Sequence, residues 1–161
     1  MCAVTNIPET KPGVISIADA IKIYFEHYPD DVLTRLKLVH RGPFFQYSLV
    51  GNNGTRRHRL KLNAQTGEAV KKSAKALKRR AREPRRRDAK ALNLENLLPL
   101  GRINEIVFNA VPVSTPMTWK LKKKKDRTLW KVKVADENGA NLHKVKLDAQ
   151  DGTLLAMKRM V

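Results

Sequence analysis

Cysteine is nearly missing from this sequence. Its single copy, Cys2, excludes an intrachain disulfide framework and a cysteine-based zinc cluster. Long apolar runs are missing too: no stretch approaches the ~18–20 residues of a membrane-spanning helix. Met1 to Gly13 also lacks the charged-then-apolar pattern of a signal peptide, so the sequence as it stands is expected in the cytoplasm. Cys2 directly after Met1 is either an ordinary second residue or the place of a lipid-bearing cysteine whose leader has been removed. Aromatic residues make up 6% of the chain, which leaves few for stacking on single-stranded nucleic acid once the core is filled. Acidic residues are scarce: 15 Asp and Glu stand against 33 Lys and Arg, a net charge of +18. Such a surface attracts polyanions (nucleic acid, anionic lipid, cell-wall polymer, an acidic protein) without choosing among them.

The machinery of catalysis is thin as well. The sequence has no HExxH, no nucleophile elbow and no phosphate-cradling P-loop. Its carboxylates form no paired constellation. Asp30 and Asp31 follow Pro29 and are expected to cap a turn, while Asp148 and Asp151 flank a glycine turn rather than a calcium loop. Of the histidines, His27, His40, His58 and His143, two occupy matching places beside apolar strand residues, His58 and His143. Structural roles are expected for both. The chain therefore reads as a non-enzyme, with no catalytic residue, no cofactor and no metal site expected.

What is present is a core's worth of apolar residues, 42%, and a self-match. Asn53-Gly54 and Asn138-Gly139 lie 85 residues apart, and the match continues ungapped through His58/His143, Lys61/Lys146, Leu62/Leu147, Ala64/Ala149, Gln65/Gln150 and Gly67/Gly152. That is eight identities over the fifteen positions 53–67, where composition alone gives roughly one. Phe45/Trp130, Tyr47/Val132, Leu49/Val134 and, further upstream, Ile21/Ile106 and Leu36/Leu121 keep the same offset. An internal duplication is the economical reading.

In the first copy, Ser16 and Asp19 open a helix whose apolar residues Ile17, Ala20, Ile21, Tyr24, Phe25 and Tyr28 recur at helical spacing, and Pro29 ends it. Alternation over 32–40 and 43–50 predicts strands, and Gly51-Asn52-Asn53-Gly54 predicts a type I′ hairpin. The next strand places His58, Leu60 and Leu62 on one face and Arg57, Arg59 and Lys61 on the other. Glu68-Ala69-Val70 then begins a short strand or a helix. The second copy predicts a helix near 103–111 ended by Pro112, then strands near 118–123, 128–135, 142–147 and 153–158. The expected fold class is α+β: two repeated units, each one helix packed on a small antiparallel sheet with one wet face.

An early helix, Phe45-Gln46-Tyr47-Ser48-Leu49, an Asn-Gly hairpin and Leu62-Asn63-Ala64-Gln65-Thr66-Gly67 resemble the PepSY domain. Trp130-Lys131-Val132-Lys133-Val134 and Leu147-Asp148-Ala149-Gln150-Asp151-Gly152 resemble it a second time. The resemblance covers about residues 15–70 and 101–158. It implies a tandem pair of units, 14–70 and 99–161, acting as a binding module that restrains a separate peptidase or meets another envelope partner. It also implies a cell-envelope location, against the cytoplasmic reading above.

Residues 71–98 form the expected basic linker, partly helical. Positions 71–90 hold eleven Lys and Arg against Glu83 and Asp88, a net +9, half the excess of the whole chain. Pro84 should stop any helix that Ala74, Ala76 and Leu77 begin. Two readings stand: a solvated spacer, or a strip that docks a polyanion through Lys78, Arg79, Arg80, Arg82, Arg85, Arg86 and Arg87. Lys120, Lys122 and Lys124 alternate with Trp119, Leu121 and Lys123, so they share one face of a strand beside Lys131 and Lys133. Either these lysines guard an edge hairpin against aggregation, or they join residues 71–90 in gripping nucleic-acid phosphates without reading bases.

Overall fold

The structure is a computed structural model that describes residues 15–41, 44–77, 91–112, 114–124, 127–136 and 142–160. The predicted sites Lys78, Arg79, Arg80, Arg82, Arg85, Arg86 and Arg87, and the turn at Asn138-Gly139, lie outside the described residues.

Helix α1 spans Ile17–His27. Ser16 caps it, its Oγ accepting from the Asp19 N–H at 3.1 Å, and Asp19 puts negative charge in the first turn where the helix dipole favours it. The last helical residue stands two before Pro29, as a ring at that position requires. Helix α2 spans Leu100–Ala110 and begins directly after Pro99, three residues earlier than apolar spacing alone suggests. Pro99 serves as its N-cap without a side-chain hydrogen bond.

The strands are β1 (Val32–Arg41), β2 (Phe44–Asn52), β3 (Arg56–Asn63), β4 (Ala69–Ala76), β5 (Ser114–Lys124), β6 (Arg127–Asp136), β7 (Leu142–Asp148) and β8 (Leu154–Met160). They form one eight-stranded sheet in the order β4-β3-β2-β1-β5-β6-β7-β8, antiparallel throughout. The expected α+β pair of repeated helix-on-sheet units, and with it the internal duplication as a division into two units, is overturned. Among the described residues the protein is mostly β, a single sheet with two helices. The physical reason sits at the centre. Two separate units would leave β1 and β5 as apolar edges with unpaired backbone, a hazard the chain removes by pairing them. Leu36 and Leu121, matched by the 85-residue offset, are therefore direct cross-strand partners, as are Leu38 and Trp119.

One face of this sheet carries the core. Leu36, Leu38, Tyr47, Leu49, Leu60, Leu62, Trp119, Leu121, Trp130, Val132, Val145 and Leu147 are all fully buried there. They form one cluster with Ile17, Ala20 and Tyr24 of α1 and Leu100, Ile103 and Val107 of α2, so both helices cover the same face. Bonds from the sheet fix each helix: the Tyr47 hydroxyl donates to the Ile15 carbonyl at 2.9 Å, and Trp119 Nε1 donates to Asn104 Oδ1 at 2.6 Å. Among the described residues, no helix covers the opposite face.

Two local expectations change. Residues 71–76 are strand β4 rather than the start of a partly helical linker, because β3 offers them a free edge: Lys61 faces Lys71 and Arg57 faces Lys75. Residues 91–98 are also tied down, with Leu92 N–H on the Leu33 carbonyl at 2.9 Å and Leu98 N–H on the Ala149 carbonyl at 3.0 Å. The β2–β3 turn is not type I′, which needs two positive φ values. Only Gly54 has one (φ 91), while Asn53 Oδ1 accepts from the Thr55 and Arg56 N–H groups.

Candidate functional site

Alternation along β1, β2, β3, β5, β6 and β7 sends one set of side chains into the core and the other onto the open face. Among the described residues, the outer strands β4 and β8 add no side chain to the core. In-register pairing then lines that second set up across strands. One such row runs Lys71, Lys61, Ser48, Lys37, Lys120, Lys131, Lys146, Ala156, one residue from each strand from β4 to β8. The next runs Gln46, Val39, Thr118, Lys133, Lys144, Lys158 from β2 to β8. Neighbouring strands lie about 4.8 Å apart and alternate residues along a strand about 7 Å, so these ammonium groups form a lattice rather than a scatter.

Like charges directly opposite each other on a sheet are unfavourable, and the lysines register the strain. Partial burial, then the charges of Lys122, Lys144 and Lys120, bring the Lys131 ammonium down to a pKa of about 8; its side chain is also in hydrogen-bond contact with Lys144. Lys120 is lowered by burial, then by Arg35, Lys122, Lys37 and Lys133. Lys146 is lowered chiefly by the charge of Lys124. No carboxylate among the described residues bridges Lys120, Lys122, Lys131, Lys144 or Lys146. Asp148, opposite Leu129 at the rim of the face, lies 3.6 Å from Arg127 Nε.

The structure thus places Lys120, Lys122 and Lys124 together on one face, beside Lys131 and Lys133, with Trp119 and Leu121 buried behind them. It corrects the edge reading: β5 and β6 are interior strands, so these lysines have no edge to guard. Lys37, Lys144, Lys146 and Lys158 also belong to the lattice, although the sequence reading did not single them out. Their signal was available in the alternation of Lys37 with Leu36 and Leu38, and of Lys144 and Lys146 with Val145 and Leu147.

A second polar cluster lies on the helix side. The Tyr24 hydroxyl donates to Asp31 Oδ2 at 2.7 Å, and His58 Nδ1 meets the same oxygen at 2.8 Å. Tyr28 stacks on the His58 ring with centroids 4.1 Å apart. Burial, then the Asp31 carboxylate, drives the Tyr24 hydroxyl well above the ordinary tyrosine range. Asp31 does not merely cap a turn; it clasps the end of α1 to β3, and His58 has the structural role expected. His143 departs from that expectation, because its Nδ1 is buried with no hydrogen-bond partner among the described residues. No group of three or more His, Cys, Asp or Glu among the described residues is placed to hold a metal.

No protein-family model matches this chain, and no curated protein matches it. The resemblance to the PepSY family thus gains nothing from these comparisons. Among solved structures, a Clostridium difficile protein provisionally named as a lipoprotein superposes with a TM-score of 0.86 at 22% identity, covering 97% of this chain and 99% of its own. A DUF2874 family protein from Bacteroides uniformis gives a TM-score of 0.34 at 11% identity over 90% of each chain. Neither carries the PepSY name. The first shows that the eight-stranded architecture is a fold adopted elsewhere. No helix of the described residues is long and apolar enough to cross a membrane.

Proposed function

We propose that this protein is a non-enzymatic binding module that holds a phosphate-bearing envelope polymer or anionic lipid surface on its open, lysine-ruled sheet face. The observation that carries the reading is the central row, in which Lys120, Lys131 and Lys146 face one another directly across three interior strands. A sheet gains nothing in stability from that arrangement, and edge protection does not account for it. An anionic ligand does: it removes the mutual repulsion and releases its own counterions on binding. The fold likeness to a protein provisionally named as a lipoprotein supports an envelope setting, as does the family resemblance, which implies an envelope partner.

The test is co-sedimentation with vesicles of phosphatidylglycerol in phosphatidylcholine, beside vesicles of phosphatidylcholine alone and a duplex DNA of random sequence. Binding to the anionic vesicles that falls at least about tenfold in a Lys120→Gln/Lys131→Gln/Lys146→Gln variant is expected, since each basic residue near such a surface adds ~1 kcal/mol. Binding to DNA alone would replace the envelope reading with the nucleic-acid one. Indifference to all of these would return the search to a protein partner, a peptidase among them.

A further inference from the structure

The open face is not uniform, and its second half has the makings of a closed anion site. Lys131 on β6 has Lys120 of β5 on one side and Lys146 of β7 on the other as direct cross-strand partners. Lys144 touches it and Lys122 presses on it from the adjoining strand. Around this group stand further cations: Lys124 acts on Lys146, and Arg35, Lys37 and Lys133 act on Lys120. Asp148 is the nearest carboxylate in register at the rim, and it already faces Arg127. In the first half the same kind of centre is absent, because β2 places Gln46, Ser48 and Val50 between the basic residues of β1 and those of β3.

We propose that Lys120, Lys122, Lys131, Lys144 and Lys146 form a discrete binding site for an oligophosphate, a chain of two or three linked phosphate groups. The inference rests on the polyanion reading above and sharpens it to one ligand class and one half of the sheet. Cations on three adjacent strands span about 10 Å across the strands and about 14 Å along them, with Lys122 and Lys144 on opposite sides of the Lys120–Lys131–Lys146 row. Lysine stems are flexible, so five ammonium groups within that area can converge on a compact, multiply charged anion, where a single phosphate would leave several of them still facing each other. Ligand charge also favours the ammonium form of Lys131, which is partly deprotonated above about pH 8 in the free protein.

The experiment is calorimetric titration of the full chain with sodium tripolyphosphate at about pH 8.5, in two buffers of different ionisation enthalpy. One saturable site is expected, with net proton uptake on binding. Lys131→Gln and Lys144→Gln should each weaken it about tenfold or more and Lys131→Gln should abolish most of the uptake, while Lys61→Gln and Lys71→Gln change affinity less than about twofold. Equal losses from substitutions in both halves would overturn the site. So would failure of tripolyphosphate to saturate while vesicles or long polyanions still bind, which would leave the broader reading intact. Failure of every polyanion to bind would sink both.

Discussion

The two halves of this sheet place their polar groups differently. The first half puts them inside: Tyr24, Asp31 and His58 form a closed, hydrogen-bonded clasp between α1 and the sheet, and the open face behind it is diluted by Gln46, Ser48 and Val50. The second half puts them outside. Its open face is a lattice of lysines, and its interior leaves Asn104 Nδ2, Trp130 Nε1 and His143 Nδ1 without hydrogen-bond partners among the described residues. A satisfied buried network stabilises and orients, whereas orphaned donors and opposed lysines both cost stability. The first half is thus built as the anchor of the fold, and the second carries the opposed lysines on which the proposed anion binding rests.

The sharpest way to break this contrast is Asp31→Ala, which strips the shared acceptor from two buried groups. Urea unfolding should show a loss of about 3 kcal/mol, and Asp31→Asn, which still accepts from Tyr24, should lose clearly less. An Asp31→Ala variant as stable as the parent would remove the clasp from the account. Next comes Gly51→Ala. A Cβ there would meet the Tyr24 hydroxyl and the Val32 backbone carbonyl, so a loss of about 2 kcal/mol is expected. The position matched by the 85-residue offset holds Asp136, so the demand for glycine belongs to the first half alone.

A smaller effect should separate the two histidines. His58→Leu is expected to cost about 1.5 kcal/mol by opening the clasp, while His143→Leu, which removes an orphaned Nδ1, should stay within about 0.5 kcal/mol of the parent. Matching losses would show that the second half hides a partner for His143. The smallest effect is a gain: Lys131→Met should stabilise the ligand-free protein by up to about 1 kcal/mol. Its pH signature carries a definite sign. Lys131 is held at about 8 in the folded chain against the usual 10.5, so between those values the unfolded chain binds more protons and stability rises with pH. Lys120 and Lys146 act in the same direction. Tyr24 opposes them near pH 10 and above, where an unfolded tyrosine ionises and the buried one does not. Thermal melts should therefore climb from about pH 8 toward about pH 10 in the parent and climb less in Lys131→Met.

Much of the local structure was legible. Ser16 and Pro29 bracket α1, and the alternation of Trp119 and Leu121 with Lys120 and Lys122 is enough to assign the buried and open sides of β5. What was not legible is how the strands join. Periodicity reports which side of a strand is apolar, but nothing in Leu36-Lys37-Leu38 or Trp119-Lys120-Leu121 says that these segments pair with each other rather than edge two separate sheets. That one pairing turns two expected helix-on-sheet units into a single sheet. It also turns an expected edge hairpin into an interior lattice, and it brings Lys37 to Lys120. The basic run at 71–90 drew attention by charge density alone, while Lys144 and Lys146 matter through register, which a linear sequence does not display.

The central claim is that the interior lysine rows hold the polyanion, and the salt dependence of affinity for a long polyanion such as duplex DNA tests it most directly. Neutralising Lys120, Lys131 and Lys146 together should flatten the log–log salt slope by about 2.7, at about 0.9 for each phosphate no longer neutralised. Neutralising Arg79, Arg80, Arg85, Arg86 and Arg87 should flatten it less. A slope untouched by the lysine changes and collapsed by the arginine changes would contradict the account and assign the binding to the basic segment instead.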